Sequence, residues 1–282
     1  MFKIKPRYAC FLSLLVLLLP LNGFASHDEK PLIFGFLPSR SPVTLIKHYS
    51  PLRDYLVKHL HHDVVLETAA DYPTFLQYTK NRKYDFVLTA PHFALLASDS
   101  GKYTAALTYT KALMADILVP ANSPITQLQQ LAGKRIATPP ESAIISMAGA
   151  HLLEQHGLTD TRAPLYVATP SHNASVHAML GGDTDAAIAS SNITRQFAKR
   201  NTAFRKLASS GPLPGIALLV ARDLPEPIQV SFISALTQMS TDPEGKTALK
   251  KMGYPGYRKA GKNEFEAARP FLKYVPRMYL NH

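Results

Sequence analysis

The chain holds a single cysteine, Cys10, among its 282 residues. That residue sits in an apolar run from Ala9 to Leu21, interrupted by Ser13 and Pro20, behind the basic start Met1-Phe2-Lys3-Ile4-Lys5-Pro6-Arg7 and ahead of the small residues Gly23 and Ala25. A basic start, a short apolar run and small residues at the cleavage position are the three parts of a secretory signal peptide, so residues 1–25 are expected to be removed on export. The run falls short of the about 20 apolar residues that a membrane anchor requires, and Cys10 lies inside it, not at its end where lipid attachment would need it. A chain processed after Ala25 has no cysteine, which excludes a disulfide, a thiolate nucleophile and a cysteine metal site. No later apolar stretch approaches membrane length, and the expected product is a soluble exported protein.

Catalytic signatures are equally scarce. There is no Gly-x-Ser-x-Gly elbow, no His-Glu-x-x-His and no pair of carboxylates in a cleft setting, so the chain reads as a non-enzyme without a cofactor. Among 11 histidines the densest group is His59-Leu60-His61-His62, but adjacent histidines at a helix end are solvated and no acid stands at ligand spacing, so no metal site is expected. The net charge of +11 is spread along the chain, with only short clusters at Lys80-Asn81-Arg82-Lys83 and Lys250-Lys251. Nucleic-acid binding wants a basic stripe interleaved with exposed aromatics, and nucleic acid is not an expected partner. The excess reads as mild attraction for anions or for an anionic membrane face.

What the chain does have is a plan used twice. Asp71-Tyr72-Pro73-Thr74-Phe75-Leu76-Gln77-Tyr78 leads through Lys83-Tyr84 into Asp85-Phe86-Val87-Leu88-Thr89, and Ser171-His172-Asn173-Ala174-Ser175-Val176-His177-Ala178 leads through Asp183-Thr184 into Asp185-Ala186-Ala187-Ile188-Ala189. Each predicts a helix capped at its start by Asp71 or Ser171, a tight turn, and a short apolar strand opened by an Asp. Asp85 and Asp185 are expected to be structural acceptors of turn N–H groups. Helix starts carry unpaired N–H groups and partial positive charge, so two of them facing each other suit a small anion. Tyr72 and His172 would stand at the two mouths.

Around these units strand and helix alternate: strands at 32–37, 64–68, 104–109, 113–119, 134–138, 164–168 and 216–221, and helices at 42–60, 91–98, 142–156, 191–199, 225–239, 243–252 and 262–274. The alternation predicts mixed α/β layers with largely parallel sheets. Composition changes at 116–124 and at 209–215, which predicts an inserted lobe. The expected organisation is residues 26–115 and 216–282 for lobe 1 and 116–215 for lobe 2, joined by two hinge crossings that let the lobes close on a ligand.

At this point the chain resembles a known family, the phosphonate, phosphite and phosphate binding proteins of ABC importers. The residues that carry the resemblance are Phe34-Gly35-Phe36-Leu37-Pro38, Asp71-Tyr72, Tyr84-Asp85-Phe86, Asn122-Ser123-Pro124 with Leu131-Ala132-Gly133-Lys134, Gly182-Asp183-Thr184-Asp185-Ala186-Ala187, and Asp242-Pro243-Glu244-Gly245-Lys246 continuing through Leu249-Lys250-Lys251-Met252-Gly253-Tyr254. The resemblance implies a two-lobed type 2 periplasmic-binding-protein fold, each lobe a mixed sheet flanked by helices. It implies a periplasmic monomer that captures a small anionic solute and delivers it to an ABC importer permease, or alternatively docks on a membrane sensor kinase. It also implies ligand contacts from Tyr72 and His172. The family's Ser-Thr-Ser run at a helix start is matched here by Ser142-Ala143-Ile144, which keeps one hydroxyl; Ser142 is expected to be an N-cap, a role compatible with ligand contact, and the resemblance implies that the amides of Ala143 and Ile144 could hold the oxyanion. The two carboxylates that take a ligand ammonium are replaced by Asn192 and Ile216, so 2-aminoethylphosphonate is not the expected ligand. The departing turn Ala90-Pro91-His92-Phe93 brings His92 to the cleft. Facing each other, His92 and His172 would make anion binding strengthen as pH falls.

Overall fold

Two sheets organise the computed structural model, which describes residues 30–39, 41–200 and 203–275; the expected leader at 1–25 lies outside them. In the first sheet β1 (Leu32–Phe36), β2 (Val64–Thr68) and β3 (Phe86–Thr89) run parallel in the order β2-β1-β3. Beyond β3, antiparallel pairing adds β10 (Ala217–Ala221), then β4 (Tyr103–Tyr109), then β11 (Tyr257–Lys259). The second sheet repeats the arrangement: β6 (Arg135–Thr138), β7 (Leu165–Ala168) and β8 (Ala186–Ser190) run parallel in the order β7-β6-β8, followed by antiparallel β5 (Ala115–Pro120) and β9 (Phe204–Ser209).

Helices cover both faces of each sheet, which is why the central strands are apolar on both sides. On the first sheet α1 (Pro42–Leu60), α7 (Glu226–Gln238) and α8 (Pro243–Met252) enclose a core of Phe34, Leu52, Phe86 and Phe232, with the Phe86 and Phe232 rings stacked 3.8 Å apart. Each such ring removed from water contributes about 1.5–3 kcal/mol. The opposite face carries α2 (Tyr72–Lys80) and α3 (Pro91–Asp99). There Gly35 is required, because a Cβ at that point would lie 2.5 Å from the Tyr84 ring. On the second sheet α4 (Ile144–Gln155) packs on Ile117 and Ile188, and α5 (His172–Leu180) and α6 (Ser191–Ala198) pack on Leu118 and Ala187.

The chain passes between the sheets at residues 110–114 and returns at 210–216, and the two passages are stitched by Leu113 N to Leu213 O at 3.0 Å and Leu213 N to Leu113 O at 2.8 Å. The composition change read at 116–124 therefore begins inside β5. Two strands had not been expected, β9 and β11; Phe204-Arg205-Lys206-Leu207 has no distinctive strand pattern and takes its form from pairing with β5. The expected helix at 262–274 is instead a 3-10 stretch, Glu266–Tyr274, with Pro270 inside it, since proline cannot donate the hydrogen bond an α-helix needs there. This stretch packs on α3 and α4 together. Arg269 pairs with Asp99 at 3.1 Å on one side, Lys273 Nζ lies 3.0 Å from Glu154 on the other, and Tyr274 Oη donates to Glu154 at 2.5 Å.

Candidate functional site

Six helices of the two parallel layers start where a strand ends: α1 after β1, α2 after β2, α3 after β3, α4 after β6, α5 after β7 and α6 after β8. In open α/β sheets this carboxyl end of the strands is where ligands bind. The local chemistry of the starts follows from their sequences. Asp71 caps α2 by accepting from Thr74 N at 2.8 Å, and Ser171 caps α5 by accepting from Ala174 N at 3.1 Å, as expected. By contrast, α3 and α4 begin after Ala90 and Ala143, which have no side chain to cap with.

Here the reading of Ser142 needs correction. The α4 cap position is Ala143, and Ser142 lies one residue earlier and is buried, so its hydroxyl is not an N-cap. The Ala143 amide is also unavailable for an oxyanion, because it donates to Pro140 O at 2.8 Å. The amides left by helix geometry without an intrahelical acceptor are those of Ile144 and Ile145. Ser146 turns its hydroxyl back to the Pro139 and Pro140 carbonyls, at 3.0 Å each, and so fixes the start of the helix.

The lobes meet over this place. His92, second residue of α3, is 0% exposed and lies against the main chain of Ser142, yet neither ring nitrogen reaches a partner at hydrogen-bonding geometry. Phe93 packs at 4.0 Å from the His92 ring and 6.0 Å from the Tyr72 ring, and Phe93 shares one apolar core with Ile144. Tyr72, His92, Ser142 and Ile144 are thus drawn together. His172 opens α5 in the second lobe, partly buried, with Nδ1 lacking a partner. Asn192 stands exposed in the first turn of α6.

Burial decides the charge of both imidazoles. Loss of water pushes His92 down to about 3, against the opposing pull of the neighbouring Ser142 backbone, and pushes His172 down to about 4. Both rings are neutral at neutral pH. The expectation that they would draw anions more strongly as pH falls through the usual histidine range does not hold, because burial favours the neutral form of both rings. Asp85 and Asp185 are structural, but their partners are strand amides, Ile33 N at 2.7 Å and Arg135 N at 2.9 Å, not turn amides. His59 is stacked on Tyr55 at 4.0 Å and bonded to its carbonyl; among the described residues no group of three or more His, Cys, Asp or Glu is placed to hold a metal ion.

Three residues escaped the sequence reading. Phe93 forms the apolar wall, and Thr89 and Thr108 are buried hydroxyls with no partner in the protein. The only signal was a threonine closing the apolar run Phe86-Val87-Leu88 ahead of Ala90-Pro91.

Comparison with known proteins agrees with this fold. A family model described as the periplasmic substrate-binding protein of phosphonate ABC transporters matches residues 34–265. A Xanthomonas citri protein solved with bound chloride is similar over 89% of this chain and 99% of its own, at 18% identity and a TM-score of 0.74. A binding-protein component of a phosphonate ABC transporter from Pseudomonas aeruginosa matches over 90% of this chain and 89% of its own, at 13% identity and a TM-score of 0.73. The PhnD1 protein of Prochlorococcus marinus in complex with methylphosphonate matches over 86% of this chain and 97% of its own, at 15% identity and a TM-score of 0.74. At such identities these structures establish the fold, which is the two-lobed type 2 periplasmic-binding-protein fold.

Proposed function

The chain belongs to the family of periplasmic phosphonate-binding proteins of ABC transporters, and from that membership we propose that it captures a small oxyanion between its lobes and presents it to the importer's permease. Residues 1–25 are the leader removed on export; residues 26–115 with 216–282 and residues 116–215 are the lobes that close. The chain works as a monomer, and capture makes or breaks no covalent bond and calls for no cofactor. The observation that carries the proposal is His92: a fully buried imidazole with both ring nitrogens unpartnered, held against the uncapped start of α4 in the facing lobe. An anion there would take hydrogen bonds from the amides of Ile144 and Ile145, from the His92 ring and, from the flanking helices, from Tyr72 and His172. Asn192 and the Ser142 hydroxyl stand at the margin of this set, and Ala143 contributes a side chain small enough to leave the amides open.

The test is a thermal-shift screen of the processed chain against phosphate, phosphite, methylphosphonate, 2-aminoethylphosphonate, sulfate, arsenate and small carboxylates. A ligand at about 100 times its Kd adds about 2.7 kcal/mol. A shift with one oxyanion that falls by about two thirds in His92→Ala supports the proposal. Silence across the panel overturns it.

A further inference from the structure

The hinge-side end of the first sheet carries polar side chains that anion capture by helix starts does not explain. Thr89, last residue of β3, and Thr108, next to last of β4, both pair with Ala217, first residue of β10. Directly paired residues point to the same face, so the two hydroxyls flank Ala217, about 10 Å apart across two strand spacings. That face is the one under α3: Val87, Ala217 and Leu219 share a core with Phe93 and Ala94, whereas Leu88, Leu107 and Leu218 belong to the core on the other side. Thr89, Thr108 and His92 are 1%, 0% and 0% exposed, and the hydroxyls and both ring nitrogens have no partner in the protein. Folded proteins pair nearly all their buried polar groups, because an unpaired one is costly. Three such residues around one helix start, beneath the meeting line of the lobes, are a surface made to hydrogen-bond something other than protein.

Gly215, on the returning passage, lets the backbone pass close to this place, since a Cβ there would come 2.8 Å from Thr108 Oγ1. Charge, by contrast, is lacking. Ile216, beside Ala217, packs on the other face of the sheet, and the buried carboxylate beside α6, Asp116, is already engaged by Ser191 Oγ at 2.8 Å and Ser209 Oγ at 2.6 Å. An ammonium group, with three donors and a full charge, would be buried there without a counter-ion. A hydroxyl both donates and accepts, as do the two threonines and the neutral ring.

Building on the proposed capture of an oxyanion, we propose that Thr89, Thr108 and His92 form a second subsite, which receives the substituent of the anion and selects a neutral hydroxyl-bearing group over an ammonium or a plain alkyl group. A site built to pair a hydroxyl rejects the analogue that lacks it, because its own polar groups are then left unpaired; the loss of one such bond corresponds to about a tenfold change in Kd.

The experiment is calorimetric titration of the processed chain with 2-hydroxyethylphosphonate, its alkyl counterpart propylphosphonate, and 2-aminoethylphosphonate. The hydroxyl compound is expected to bind at least about tenfold more tightly than the alkyl one, with the amino compound weakest. Thr89→Val and Thr108→Val should each erase that preference while keeping propylphosphonate binding, which also shows that the variants are folded, and Thr→Ser at either position should restore it. Equal affinity for the hydroxyl and alkyl compounds, or a preference that survives both valine substitutions, overturns the subsite and leaves oxyanion capture standing. Absence of binding by every oxyanion overturns both.

Discussion

In the first α/β unit Asp71 caps α2, Thr68 Oγ1 donates to Phe36 O at 2.8 Å, and Asp85 accepts the Ile33 amide at 2.7 Å. In the second, Ser171 caps α5, Thr169 Oγ1 donates to Thr138 O at 2.8 Å, and Asp185 accepts the Arg135 amide at 2.9 Å. Even the turns agree: Lys83 N reaches Tyr78 O and Asp183 N reaches Ala178 O, both at 2.9 Å. The positions proposed to meet the ligand do not agree. Tyr72 stands opposite His172 in this register, Thr89 opposite Ala189, and His92 opposite Asn192. The shared features all satisfy backbone donors and acceptors that any copy of the unit must pair. The cleft side chains are free of that obligation, so a repeated scaffold can present two different surfaces to one ligand.

The comparison breaks most visibly at the strand-opening acids. Asp85 also binds Arg82 at 2.9 Å in a largely buried setting, whereas the hydrogen bond from Asp185 is exposed. Asp85→Ala should cost about 3 kcal/mol by urea denaturation, and Asp185→Ala about 1 kcal/mol. Equal losses would mean that Arg82 adds nothing to the first unit. At the cleft, His92→Ala should weaken oxyanion binding by about 2 kcal/mol, roughly thirtyfold, and the equivalent Asn192→Ala should change it by less than threefold, as read by calorimetry.

The histidines sharpen the contrast through pH. In the unfolded chain both titrate near 6.5, while the folded chain holds them down to about 3 for His92 and about 4 for His172. Below pH 6.5 the unfolded state takes up protons that the folded state refuses. Stability is therefore full above 6.5 and falls as pH drops toward 4, by about 1.4 kcal/mol per pH unit for each histidine. Denaturation midpoints of His92→Gln measured across this range should fall less steeply than those of the parent, and an unchanged slope would place the proton uptake elsewhere. The smallest effects belong to the caps. Asp71→Ala and Ser171→Ala should each cost about 1 kcal/mol, and a difference above about 0.5 kcal/mol between them would show that one unit leans more on its helix than the other.

Much of this scaffold was legible because it rests on local rules. The apolar runs Phe86–Thr89 and Ala186–Ser190, the capping residues Asp71 and Ser171, and the tight turns before each Asp are written within a few residues of where they act. Less legible were β9, which exists because β5 lies beside it, and the C-terminal 3-10 stretch, whose buried Phe271 and preceding Phe265 are held by a core shared with α3 and α4. At the site, Tyr72, His92 and His172 could be named from their places at helix starts. Thr89 and Thr108 could not, because they are 19 residues apart in the chain and meet only through Ala217, which arrives from beyond the second lobe.

The sequence by itself determined where helices begin and strands run, since capping, periodicity and turn chemistry act over a handful of residues. It also determined the duplicated unit and the absence of the acids at 192 and 216. Only the tertiary structure decided which amides of α4 remain open, that the histidines are neutral, and which hydroxyls are buried without partners. Those properties depend on how much water each group keeps once the lobes meet, and desolvation is set by neighbours that are remote in the chain.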